Sequence, residues 1–267
     1  MLLGQTGKRW LRVLHPAVAA AALTLFIIEY FLVYVSEAIG ILFALAAALI
    51  IYGLISVLNV SDALSNALED ISILLIYIML MAGLPWFYLS QSLLIPGVYS
   101  LVMALCFWRE SAKNPAMGVK ELFSHLGIRR GNLVRNCLMG LAGVPMGAVE
   151  YFILRPPPPT PHFDPLHLLQ SIVYMLFFVA LGEEILFRAM IQRSLTAFMT
   201  PGSSVFWSAL IFAVMHTVWR SIPELFFVFA AGLLLGAIYH KTGSLVGPIA
   251  IHAVNNVMLI AVMPYLA

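Results

Sequence analysis

The hydrophobic positions of this chain fall in stretches long enough to cross a bilayer, which takes roughly 20 mostly apolar residues in helical form. Nine such stretches are expected, near residues 15–36, 39–58, 71–89, 92–108, 134–154, 167–187, 203–219, 223–240 and 245–264. The third and fourth are separated by little more than Ser90-Gln91, so a re-entrant pair there would reduce the count. The expected fold class is therefore all-α: a polytopic transmembrane helix bundle of about eight or nine spans. The first stretch reads as a span rather than a cleaved signal peptide, being too long and lacking a small-residue cleavage site before a polar segment.

Polar positions between the stretches set an orientation. With the amino terminus in the cytoplasm, Lys8, Arg9, Arg12, Arg109, Lys113, Lys120, Arg129, Arg130, Arg135, Arg188, Arg193 and Lys241 fall inside, and only Arg155 and Arg220 fall outside. That places 12 of 14 basic residues on one side, as the positive-inside rule requires. The carboxyl terminus is then expected outside, in a multi-pass protein of a prokaryotic cell membrane.

Composition agrees and excludes other classes. Of the 267 residues, 62% are hydrophobic and 10% charged, against about 45–50% and about 25% in soluble domains. A soluble enzyme, a disordered regulator and a secreted disulfide scaffold are all excluded. The net charge of +2 gives no nucleic-acid footprint. Cys106 and Cys137 lie in apolar runs and read as packing residues, not as a disulfide or metal pair.

Between the spans, residues 109–133 form a polar stretch expected in the cytoplasm. It is either a solvated linker or includes a short interfacial helix from Gly118, with Leu122, Phe123 and Leu126 toward lipid. Residues 155–165, with Pro156 to Pro159, Pro161 and Pro165, read as a stiff external loop. The chain divides into a four-helix region (1–108), the linker (109–133) and a carboxy-terminal bundle (134–267). Gly143/Gly147, Gly232/Gly236 and Gly243/Gly247 have the spacing that lets helices approach closely.

Charge inside a span costs a few kcal/mol, so it marks function by default. Three helices of the carboxy-terminal bundle concentrate it. In Gly182-Glu183-Glu184-Ile185-Leu186-Phe187-Arg188, the i,i+4 spacing puts Arg188 beneath Glu184 and turns Glu183 elsewhere. An unpaired carboxylate in an apolar site suits a general base. His216 ends Phe212-Ala213-Val214-Met215-His216, about 20 Å along the next span. In His252-Ala253-Val254-Asn255-Asn256, His252 and Asn256 share a face, while Asn255 points away and suits interhelical hydrogen bonding. Helix depths suggest convergence in the cytoplasmic half. Glu29 and Glu150 are assigned to the outer interface.

Glu-Glu-x-x-x-Arg, Phe-x-x-x-His and His-x-x-x-Asn, in that order on successive apolar helices, resemble the CPBP family of CAAX proteases and bacteriocin-processing intramembrane proteins. The likeness covers roughly 134–264, and the first four helices carry none of it. It implies a glutamate-dependent intramembrane endopeptidase without a cofactor, acting on a membrane-associated peptide or protein. By the same resemblance, Glu183 and His216 would activate a water, Glu184 and Arg188 would support the site, and His252 and Asn256 would form an oxyanion hole. Access for water and peptide is expected from the cytoplasm. The family includes enzymes that cut after a prenylated Cys and members with other substrates, and no residue here reads as prenyl-specific.

Two other readings use the same residues. Two Glu, two His and an Asn supply potential zinc ligands, though His-Glu-x-x-His is missing. Buried Glu, His and Arg also serve proton-coupled transporters, in which case a continuous polar path and an inverted repeat are expected.

Overall fold

In the computed structural model, which describes residues 15–83, 91–128 and 133–267, regular structure is helical throughout. Nine helices among the described residues are long and apolar enough to cross a membrane, and the protein is an integral, multi-pass one. They are α1 (Pro16–Val35), α2 (Glu37–Val57), α3 (Asp62–Gly83), α4 (Gln91–Lys113), α6 (Val134–Leu154), α7 (Pro165–Thr196), α8 (Pro201–Trp219), α9 (Ile222–Thr242) and α10 (Val246–Tyr265). The short α5 (Val119–His125) lies between α4 and α6. The turn at Ser90-Gln91 falls largely outside the described residues, so the re-entrant alternative is not addressed by them.

Three helices are longer than the apolar runs suggested. α3 begins at Asp62, well ahead of residue 71, because its polar first half is neutralised from α4. Arg109 Nε lies 2.5 Å from Asp70 Oδ1, Lys113 Nζ lies 3.0 Å from the same oxygen, and Arg109 Nη1 pairs with Glu69. Ser194 Oγ of α7 donates to the other Asp70 oxygen. Asp70 is fully buried. The network ties the two halves of the chain at the end of the bundle that carries most of the basic residues, here called the basic end. For the same reason α4 runs on to Lys113, through the start of the expected linker, and α7 continues to Thr196.

Part of the linker forms α5, with Glu121 accepting from the Gly118 backbone N–H at 3.1 Å. Of the side chains that the interfacial-helix reading turned toward lipid, Leu122 and Leu126 are buried in the protein core, while Phe123 is exposed, as is Val119 on the same face. Glu110 anchors the segment, 3.0 Å from His125 Nε2 and 2.9 Å from Arg193 Nη2.

Small residues set the closest helix crossings. A Cβ on Gly143 or Gly147 of α6 would run into the backbone of Ile251 and Asn255 on α10. Gly232 of α9 packs closely on Ala209, and a Cβ on Gly236 would meet the Gln192 side-chain oxygen. Gly243 differs from its expected role: at φ +61° it ends α9 as a left-handed cap, with no neighbour near its missing side chain. Cys106 is buried, whereas Cys137 is exposed and free, so only the first is a packing residue.

Two outer carboxylates are also placed differently from expectation. Glu29 and Glu150 are both buried against neighbouring helices rather than exposed on the surface. Asn255 Nδ2 donates to Glu150 Oε2, which gives Asn255 the interhelical role expected of it and gives Glu150 its partner. Glu224, near the start of α9, is buried beside Glu150 and has no counterpart in the sequence reading.

Candidate active site

The motif residues meet where α7, α8 and α10 pack together. Glu184 and Arg188 form the expected i,i+4 pair, with Arg188 Nε 3.1 Å from Glu184 Oε2 and both side chains buried. The Arg188 guanidinium also lies over the Phe212 ring, 4.6 Å from its centroid. From Ile185 the backbone of α7 is π-helical to Gln192. Such a widened turn is a common accompaniment of functional sites. Ser208 of α8 donates to the Phe187 carbonyl at 2.8 Å, holding the two helices at this level.

His252 joins the pair from α10. Its Nδ1 donates to Glu184 Oε1 at 2.8 Å, and its Nε2 stands 3.6 Å from Glu183 Oε2, beyond hydrogen-bond length. Glu184 is therefore held on both oxygens, by a cation on its own helix and an imidazole on another. The resulting cluster is Arg188, Glu184, His252 and Glu183.

Glu183 is not the free carboxylate that helix geometry suggested. Its Oε1 accepts a hydrogen bond from the Tyr99 hydroxyl of α4, and Tyr77 of α3 lies 3.4 Å behind Tyr99, hydroxyl to hydroxyl. The first four helices carry no motif residue, yet two of them reach the site. Sequence reasoning missed both tyrosines. The available signal was a phenol in an apolar span, since a buried hydroxyl needs a partner.

His216 lies just past the α-helical part of α8, which ends at Val214. Nδ1 donates to the Phe212 carbonyl at 2.8 Å. That bond fixes the tautomer and leaves the Nε2 lone pair for other work. Asn256 Oδ1 accepts from Asn255 at 3.2 Å, so its amide N–H groups remain available as donors.

Glu183, His216 and Asn256 line one cavity of about 320 Å³, together with Glu150, Tyr77, Tyr99 and mostly apolar side chains. A narrow recess lined by His216, His252, Asn255 and Asn256 adjoins it. Val218 and Trp219, both exposed, are part of the cavity wall, so it reaches the surface beside the turn between α8 and α9. This turn holds Arg220, at the end opposite the basic end. Access from the basic end was expected instead; there the helices are tied by the Asp70 network. A separate hollow of about 520 Å³ between α1, α2 and α3 is lined by apolar side chains and Thr24. Leu74 and Tyr77 of α3 face the first hollow, and Ile71 and Leu75 the second.

Among the described residues, no group of three or more His, Cys, Asp and Glu is arranged to hold a metal ion. Glu184 in particular is committed to Arg188 and His252.

A helical membrane bundle that gathers two carboxylates, two imidazoles and an amide at a cavity has the parts of an intramembrane hydrolase site. Residues 165–258 match the family model described as Rce1-like, type II CAAX prenyl endopeptidase. All of Glu183, Glu184, Arg188, His216, His252 and Asn256 lie in this Rce1-like segment, in agreement with the resemblance read from their spacing. No curated protein and no solved structure matches the chain. The match supports an intramembrane peptidase, in a lipid environment and with a membrane-associated substrate.

Proposed function

We propose that this protein is a glutamate-dependent intramembrane endopeptidase that hydrolyses a peptide bond in the membrane-proximal or C-terminal part of a membrane-associated peptide or protein. The observation that carries the reading is that Glu183, His216 and Asn256 line one cavity, with His252 in the recess beside it. In this reading a water in the cavity gives a proton to Glu183, and His216 Nε2 accepts a hydrogen bond from the same water and orients it. The oxygen then attacks the peptide carbonyl carbon. Charge builds on the carbonyl oxygen, where the Asn256 amide donates. His252 donates there too when Nε2 carries a proton, its Nδ1–H being already engaged with Glu184. Glu184 and Arg188 hold His252 and the Glu183 backbone in place.

The apolar wall suits the chemistry. Excluding bulk water strengthens each of these contacts relative to the same contact in solution. In the proposed orientation the basic end is cytoplasmic, in a prokaryotic cell membrane, and the cavity mouth beside Arg220 faces outward.

The test compares membrane-associated peptides in cells making the parent protein or Glu183→Ala at equal levels, read by mass spectrometry. Peptides truncated only with the parent support the reading and identify the substrate. Identical profiles, repeated with purified protein in vesicles, would refute it.

A further inference from the structure

The helix that carries Glu183 is shaped to receive a side chain from the amino-terminal half of the chain. Gly182 directly precedes the carboxylate, and a Cβ there would lie 2.8 Å from Tyr99 Cδ1. The missing side chain is the space the Tyr99 ring occupies. Tyr99 is buried, and its hydroxyl is on Glu183 Oε1.

A phenol has one proton to give. Because Tyr99 gives its proton to Glu183, the 3.4 Å contact between the two hydroxyls runs from Tyr77 as donor to Tyr99 as acceptor. The two rings also pack against each other, centroids 5.7 Å apart. A one-way chain of donors thus passes from α3 through α4 to the carboxylate on α7.

The chain makes the two oxygens of Glu183 unequal. Oε1 is occupied by Tyr99. Oε2 faces His252, 3.6 Å from its Nε2, and accepts no hydrogen bond among the described residues.

We infer that Tyr99, backed by Tyr77, is a positioning residue for the base: it holds Glu183 Oε1 so that Oε2 is the atom that takes the proton of the attacking water. The inference rests on the proposed role of Glu183. In the step, Oε2 removes one proton from water, the water oxygen bonds to the carbonyl carbon, and the carbonyl π electrons move onto its oxygen. When the carbon–nitrogen bond breaks, the proton held on Oε2 passes to the leaving amine. Tyr99 keeps its own proton throughout and only fixes the carboxylate. The amino-terminal helices are then part of the catalytic apparatus, although no motif residue lies in them.

The experiment uses the full chain in vesicles, with Tyr99→Phe, Tyr77→Phe, Gly182→Ala and Glu183→Gln. The probe is a fluorescence-quenched peptide with an acyl anchor in the same vesicles. Tyr99→Phe is expected to lower kcat roughly tenfold or more, the scale of one hydrogen bond to a charged group, with KM and the melting midpoint unchanged. Gly182→Ala displaces the ring and is expected to lower kcat similarly, and Tyr77→Phe to lower it less. Independently of turnover, the infrared carboxylate band lost in Glu183→Gln is expected to shift in Tyr99→Phe. An unmoved band, or a moved band with parental kcat, overturns the inference. A moved band in a protein whose parent cleaves nothing overturns the peptidase reading, and with it the catalytic part of the inference.

Discussion

Arg188 lies beneath Glu184 on the same helix, 3.1 Å from nitrogen to oxygen, and neither side chain reaches solvent. Removing one partner of such a pair leaves an uncompensated charge in a low-dielectric site, at a cost of about 3–5 kcal/mol. Arg188→Ala is therefore expected to lower the unfolding midpoint in detergent and to abolish cleavage together. Arg188→Lys retains the charge but not the planar fork over Phe212, and is expected to fall between the two.

Glu183 and His216 both line the cavity; Glu183 is tied to α4 through Tyr99, and His216 only to the Phe212 carbonyl of its own helix. Glu183→Ala and His216→Ala are expected to fold and insert while losing roughly 10²-fold or more in kcat/KM, the scale of a general base, with His216→Ala melting like the parent and Glu183→Ala slightly below it because Tyr99 loses its acceptor. Groups that act on one water act as a unit, so the double variant is expected to be little worse than either single one. Steady-state cleavage in vesicles measures both points.

The Asp70 network makes a separate prediction about stability. Asp70→Ala removes the partner of Lys113 and one of the two carboxylates on Arg109, which keeps Glu69, and is expected to cost about 3 kcal/mol, the low end for a broken buried pair because both cations are partly exposed. Ser194→Ala removes only one donor to that carboxylate, at about 1.5–3 kcal/mol. Chemical unfolding in mixed micelles checks the order, and a double-mutant cycle between the two positions should give a clear coupling energy.

Close helix crossing at α6 and α10 depends on two missing side chains. Gly143→Leu or Gly147→Leu forces the backbones of these helices apart and is expected to prevent accumulation of folded protein. Gly53→Ala on α2 is the matched control, since nothing stands within 4 Å of the added carbon. It is expected to be neutral or to stabilise by under about 1 kcal/mol through helix propensity. Size-exclusion profiles in detergent distinguish the two outcomes.

Much of the site was readable in the sequence because its key pairs are local. Glu184 with Arg188, and His252 with Asn256, are one helical turn apart, so spacing alone puts each pair on a common face. The tyrosine contact was hidden because Tyr99 lies 84 residues from Glu183. Asn255 lies 105 residues from Glu150, and distance along the chain likewise concealed why that carboxylate is buried. The start of α3 was missed for a related reason. Asp62, Glu69 and Asp70 read as loop until Arg109 and Lys113 are set beside the last two. Long apolar runs located the spans; where the membrane helices carry charge, only the partner on another helix shows it.

That pairing has a consequence for how the protein is made. Asp70 leaves the ribosome before Arg109 and Lys113 exist, and a carboxylate alone at that depth is costly in hydrocarbon. α3 carries that cost alone until α4 supplies the cations, so the two are expected to insert as a neutralised hairpin, which truncated chains ending before and after Lys113 would check. Ser194 arrives later still and completes the coordination of the same carboxylate. The expected order of assembly is thus set by charge: carboxylate first, its two cations next, its hydroxyl donor last.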